Sequence, residues 1–115
     1  MSLRITRPDD WHVHLRDGEP MRSVVAATAR VFGRAVVMPN LSPPVTTVNA
    51  AAAYRERIVQ ALPADSRFAP LLTLYLTDRT SSAEIARASR SNRPLNCCAE
   101  ILMATLRPRR VSTAL

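Results

Sequence analysis

The chain has 115 residues and a formal net charge of +7, and all 16 of its basic side chains are arginine. Apolar residues make up 47% and charged residues 22%, the composition of one folded domain rather than of a disordered chain. The longest unbroken apolar runs, such as residues 50–54, fall far short of the roughly 20 residues that a membrane-spanning helix needs, so no membrane partner is expected.

The opening MSLRITRPDD turns acidic where a secretion signal would be apolar, and the adjacent Cys97 and Cys98 offer no disulfide framework. A cytoplasmic location is the expectation. The charge is unevenly spread. Residues 1–86 hold ten arginines against eight acids, a net of +2, whereas residues 87–115 hold six arginines against Glu100, a net of +5. All five aromatic residues (Trp11, Phe32, Tyr54, Phe68 and Tyr75) lie before residue 76.

In chain order, residues 3–6 alternate, and residues 11–15 read as a strand with Trp11, Val13 and Leu15 on one face. Asp17-Gly18 marks a turn, and Asp9-Asp10 reads best as a loop. Pro20 suits the first turn of a helix that carries Met21, Val24, Val25, Thr28, Val31 and Phe32 at three-to-four spacing, with Gly33 just past its end. Residues 35–38 are a short apolar run, consistent with a strand buried on both faces.

Residues 40–47, with Pro43-Pro44, must be a loop. Thr47 or Asn49 can cap a helix over 50–62 whose stripe is Tyr54, Ile58 and Leu62. Residues 71–76 read as a strand closed by Thr77-Asp78, and Ser81 or Ser82 can cap a helix over 83–90. After residue 90 no strand is readable, although a short apolar helix fits 98–106. Strands alternating with helices imply βαβ units and a parallel sheet. Ligands of such sheets gather at the carboxyl ends of the strands, here the loops at 12–18, 38–44 and 76–79.

His12 and His14 lie in the first of these loops. Two residues apart in an extended chain, they share a face and can reach one metal ion, for which zinc suits imidazole well. Two satisfied polar histidines at a strand end are an equal alternative. Arg16 follows on the same face, and its fork suits a carboxylate; pairing with Asp17 or Asp10 is the plainer reading. Asn40, after Pro39, could also bind a carboxylate or serve as a turn residue. Asp78 reads as a turn residue, and Cys97-Cys98 as an incidental pair. The arginine-rich tail suggests an acidic partner, yet it lacks the aromatic rings that stack on bases, so nucleic acid is not expected and a solvated tail is the better reading.

Five segments together carry a resemblance. RPDDWHVHLRDG (7–18) resembles the first metal motif of dihydroorotases of the shorter monofunctional class. FGRAVVMPNL (32–41) with PPVTTV (43–48), AYRERI (53–58) and PLLTLYLTD (70–78) follow at the spacing that family implies. The resemblance covers about residues 3–88, leaving 89–115 as a divergent tail that reads as solvated or disordered.

It implies the N-terminal portion of a (β/α)8 TIM-type barrel, about three βα units and therefore incomplete, since such a barrel takes about 250 residues. It also implies a two-zinc amidohydrolase that interconverts dihydroorotate and N-carbamoyl-L-aspartate in pyrimidine biosynthesis. His12 and His14 would bind zinc, Arg16 and Asn40 would hold the substrate carboxylate, and intact members can be homodimers. No residue of this chain takes the catalytic proton-transfer role, which the family gives to an aspartate on a late strand. The family's bridging carboxylated lysine would fall at or beside Cys98, and the chain has no lysine. A truncated gene product with a shifted reading frame, inactive alone, is the expectation. A small basic binding module is the alternative.

Overall fold

The computed structural model describes residues 1–91. The 98–106 helix, the Cys97-Cys98 pair and nearly all of the arginine-rich tail lie outside the described residues. In chain order the elements are β1 (Asp9–Val13), α1 (Met21–Val31), β2 (Arg34–Val37), α2 (Val48–Ala61), β3 (Ala69–Leu72) and α3 (Ser82–Arg90). The strands form one parallel sheet in the order β1-β2-β3, as the alternation of strand and helix predicts. Parallel pairing brings the carboxyl ends of all three strands to one edge.

β2 is central, and its Ala35, Val36 and Val37 are all buried, the pattern of a strand covered on both faces. Its four residues pair one for one with β3. That short ladder moves β3 toward the N-terminus relative to the 71–76 apolar run. After Leu72 the ladder gives way to a side-chain bond, in which the buried Thr73 hydroxyl donates to the Val37 carbonyl at 2.6 Å. Leu74 stays in the core without being in the strand.

β1 differs more from expectation. It starts earlier, and its register with β2 shifts between Asp10 and Val13. Such a shift turns successive side chains away from strict alternation. Trp11 is consequently 67% exposed while Leu15 is fully buried, so the expected common face of Trp11, Val13 and Leu15 does not form. Asp9 and Asp10 lie in the strand rather than a loop. Asp9 receives a two-pronged pair from Arg34 at 3.2 and 2.5 Å, and Asp10 accepts from the His12 backbone N–H at 3.0 Å. Residues 3–6 belong to no strand and are exposed.

The helices are set by their caps and stripes. α1 buries Met21, Val25, Thr28 and Ala29; Val31 is 46% exposed, and Phe32 is already extended as the cap. Arg7 closes this helix by donating to the carbonyls of Ala29 and Arg30 at 2.5 and 2.9 Å, which would otherwise lack partners. Thr47 caps α2, accepting from Ala50 N at 3.1 Å, and Ser81 caps α3, accepting from Glu84 N at 3.1 Å. Tyr54 and Ile58 of α2 are fully buried and join Leu15, Val25, Val37 and Leu72 in one cluster. Each such side chain contributes about 1.5–3 kcal/mol on burial.

Candidate metal and carboxylate site

His12 is the fourth residue of β1 and His14 is the first residue after it. Their Nε2 atoms lie 3.3 Å apart, with ring centroids 5.2 Å apart at 60°. That separation serves a hydrogen bond between one protonated and one bare nitrogen. It also matches the ligand-to-ligand edge of a tetrahedral zinc ion, about 3.3–3.4 Å for Zn–N bonds of about 2.0–2.1 Å. The two rings therefore fit as two ligands of one ion. Among the described residues no group of three or more His, Cys, Asp or Glu gathers around a point.

The electrostatics favour a bare imidazole at the second position. Partial burial holds the His14 pKa below its ordinary 6.5, and the charges of His12 and Arg16 add to the effect. At neutral pH the ring keeps a lone pair for a metal.

Arg16 leaves the extended backbone, while it and His14 are both exposed on either side of the buried Leu15. Arg16 has φ 61°, in the left-handed region, and is the one described non-glycine residue there. Asp17 follows, then Gly18 at φ 63°, where glycine adopts the same region without a Cβ penalty. A non-glycine residue held in such a region costs roughly 1–3 kcal/mol.

Two contacts from α2 offset that cost. The Tyr54 hydroxyl donates to the Arg16 carbonyl at 2.5 Å, and Arg57 donates through Nε and Nη2 to the Asp17 carboxylate at 3.0 and 2.9 Å. The Arg57 hydrogen bonds hold the Asp17 carboxyl below the usual range. Burial pushes the Tyr54 phenol up to about 12. With side chains 44% and 39% exposed, the Arg57–Asp17 pair contributes at most about 1 kcal/mol, so the buried phenol is the firmer tether.

Asn40 lies three residues past the end of β2, exposed, where the Pro39 carbonyl accepts from Leu41 N and Val45 N. It opens on the same sheet edge as His12, His14 and Arg16. Asp78 is exposed in a turn built by Thr77 and Thr80. The sequence reading missed the roles of Tyr54 and Arg57. Tyr54 sits on the apolar stripe and reads as core, and nothing local ties Arg57 to a residue 40 positions away.

No protein-family model matches the chain. Its N-terminal part is 65% identical over 89 residues to a dihydroorotase of Alkalilimnicola ehrlichii, a match covering 77% of this chain and 26% of that protein. It is 64% identical over 90 residues to a dihydroorotase of Methylobacillus flagellatus, covering 78% and 26%. The fold superposes on the crystal structure of the Campylobacter jejuni dihydroorotase with a TM-score of 0.67 at 36% identity, covering 72% of this chain and 24% of that one. Dihydroorotase from Saccharomyces cerevisiae in complex with 5-fluoroorotic acid gives a TM-score of 0.64 at 28% identity, covering 71% and 22%. The chain is thus related to dihydroorotases over about three quarters of its own length, and it spans about a quarter of the length of the relatives it matches.

Proposed function

We propose that the chain supplies the opening three βα units of a dihydroorotase, the N-terminal portion of a (β/α)8 barrel. In this reading residues 1–88 form the functional segment, and the reaction served is the interconversion of dihydroorotate and N-carbamoyl-L-aspartate in pyrimidine biosynthesis. The observation that carries it is the approach of His12 Nε2 to His14 Nε2 at 3.3 Å, at the carboxyl end of a parallel strand and two residues before Arg16. A cytoplasmic location belongs to the same reading.

His12 and His14 would hold a zinc ion through their ring nitrogens. When bound, the ion supplies Lewis-acid polarisation of the ring amide carbonyl and a water of lowered pKa. Arg16 grips the substrate carboxylate through two parallel N–H donors, and the Asn40 amide adds a further donor. The yeast relative's complex with 5-fluoroorotic acid supports the choice of an acidic ligand. Anchoring the carboxylate presents the cyclic amide to the histidine side of the strand ends. Proton transfer to the leaving nitrogen falls to no residue of this chain.

Acting alone, the 115 residues do not turn over dihydroorotate in this reading. They contain no lysine to form a bridging carbamate, and two histidines are fewer than the three or four protein ligands of a stable zinc site.

The test is a chimera in which residues 1–88 replace the corresponding stretch of the Alkalilimnicola ehrlichii enzyme. It is expected to take up zinc and hydrolyse dihydroorotate, and His14→Ala or Arg16→Ala within it should abolish turnover. A folded, zinc-loaded chimera without turnover would refute the reading.

A further inference from the structure

Helix α2 holds the loop after β1 at two consecutive residues. Tyr54, fully buried, bonds the Arg16 carbonyl at 2.5 Å. Arg57, three residues on and therefore on the same helix face, grips the Asp17 carboxylate at 3.0 and 2.9 Å. The Arg57 guanidinium also lies 5.3 Å from the centroid of the Tyr54 ring, so the two tethers brace each other. Between them they fix a left-handed arginine whose guanidinium makes no ion pair among the described residues. His12 and His14 owe their placing to strand β1 and its exit. Arg16, on a turn, needs something outside the turn to define where its side chain departs.

We infer that Tyr54, seconded by the Asp17–Arg57 pair, is a positioning residue for Arg16, aiming its guanidinium at the carboxylate of the substrate. This role rests on Arg16 being the carboxylate holder proposed above. Neither Tyr54 nor Arg57 touches substrate; both act through the backbone of the turn.

The test uses the chimera that carries residues 1–88 in the Alkalilimnicola ehrlichii enzyme, as wild type, Tyr54→Phe and Asp17→Asn. Dihydroorotate affinity is read as KM from initial rates, with kcat recorded alongside it. Zinc binding is measured in parallel, and trypsin cleavage after Arg16 is compared with cleavage after Arg4 by mass spectrometry. Tyr54→Phe keeps the ring in the core and Asp17→Asn alters an outer side chain, so a folding defect in one leaves the other informative.

Each variant is expected to bind dihydroorotate about tenfold more weakly, the equivalent of one hydrogen bond. Zinc affinity should be unchanged, while cleavage after Arg16 accelerates relative to Arg4. Unchanged dihydroorotate affinity in both variants overturns the positioning role and leaves the reading of Arg16 standing. A parallel fall in zinc affinity also overturns it, because the loss is then general loosening. Wild type that takes up zinc but binds no dihydroorotate removes the carboxylate reading itself, and the positioning role falls with it.

Discussion

Arg7 and Arg34, at the amino ends of the strands, are engaged with the protein, whereas Arg16, at the carboxyl ends, is held out from it. Arg34 closes on Asp9 across β1 and β2, and Arg7 closes the carbonyl end of α1. Arg16, at the opposite edge, has its backbone bound by Tyr54 and its neighbour bound by Arg57, while its own guanidinium makes no ion pair among the described residues. The same side chain acts as a structural clamp where its fork meets a local carboxylate or carbonyl. It becomes a recognition element where other residues take over the clamping.

Substitutions should separate the two ends. Leu15→Ala has the largest expected effect, because this fully buried side chain lies between His14 and Arg16 and anchors the exit from β1. A loss of about 2–5 kcal/mol should appear in thermal unfolding, and the same substitution in the chimera should abolish zinc uptake. Alkali comes next. The Tyr54 phenol ionises near its ordinary 10 when unfolded but only near about 12 when folded. The neutral phenol's full contribution therefore holds below pH 10 and is lost as pH rises through 12, measurable as alkaline unfolding that Tyr54→Phe blunts.

Tyr54→Phe at neutral pH should cost about 1 kcal/mol by denaturant titration, the net worth of one hydrogen bond. Acid is expected to do less and to act on both ends. Arg57 lowers the Asp17 carboxyl and Arg34 lowers the Asp9 carboxyl, so both pairs are intact above the usual carboxylate range and are lost as pH falls below it. Nuclear magnetic resonance titration of the two carboxyls should show both transitions while the Tyr54 bond persists. Asp9→Asn should be the mildest change, leaving the melting temperature and the chimera's zinc uptake where they were, because Arg34 and Asp9 form a solvent-facing pair. A large effect there would erase the contrast between the ends.

The order of elements was legible because Pro20, Pro43-Pro44 and the capping Thr47 and Ser81 punctuate apolar stripes of clear period. The central strand was legible too, since three consecutive buried residues leave little choice of face. β1 was misread at its edges because a register shift is a property of two strands, and the pattern of one strand does not encode it. The boundary of β3 moved for the same reason, being set by the four residues β2 offers. Of the candidate site, His12 and His14 were legible from their spacing, and the structure brings them together. The backbone reversal at Arg16 was not, because an arginine gives no local sign of a left-handed conformation, and the hydroxyl that bonds its carbonyl lies 38 residues away in Tyr54.

One contact between helices has a bearing on how the chain is made. The Val48 N–H at the head of α2 donates to the Glu84 carboxylate at 2.6 Å, and Glu84 belongs to α3. A chain emerging residue by residue from the ribosome completes α2 in sequence long before residue 84 is outside the exit tunnel. Until then the second helix has the Thr47 hydroxyl but lacks its second cap. The third unit thus seals the second, and three units rather than two are the smallest piece of this chain that closes its own hydrogen bonding there.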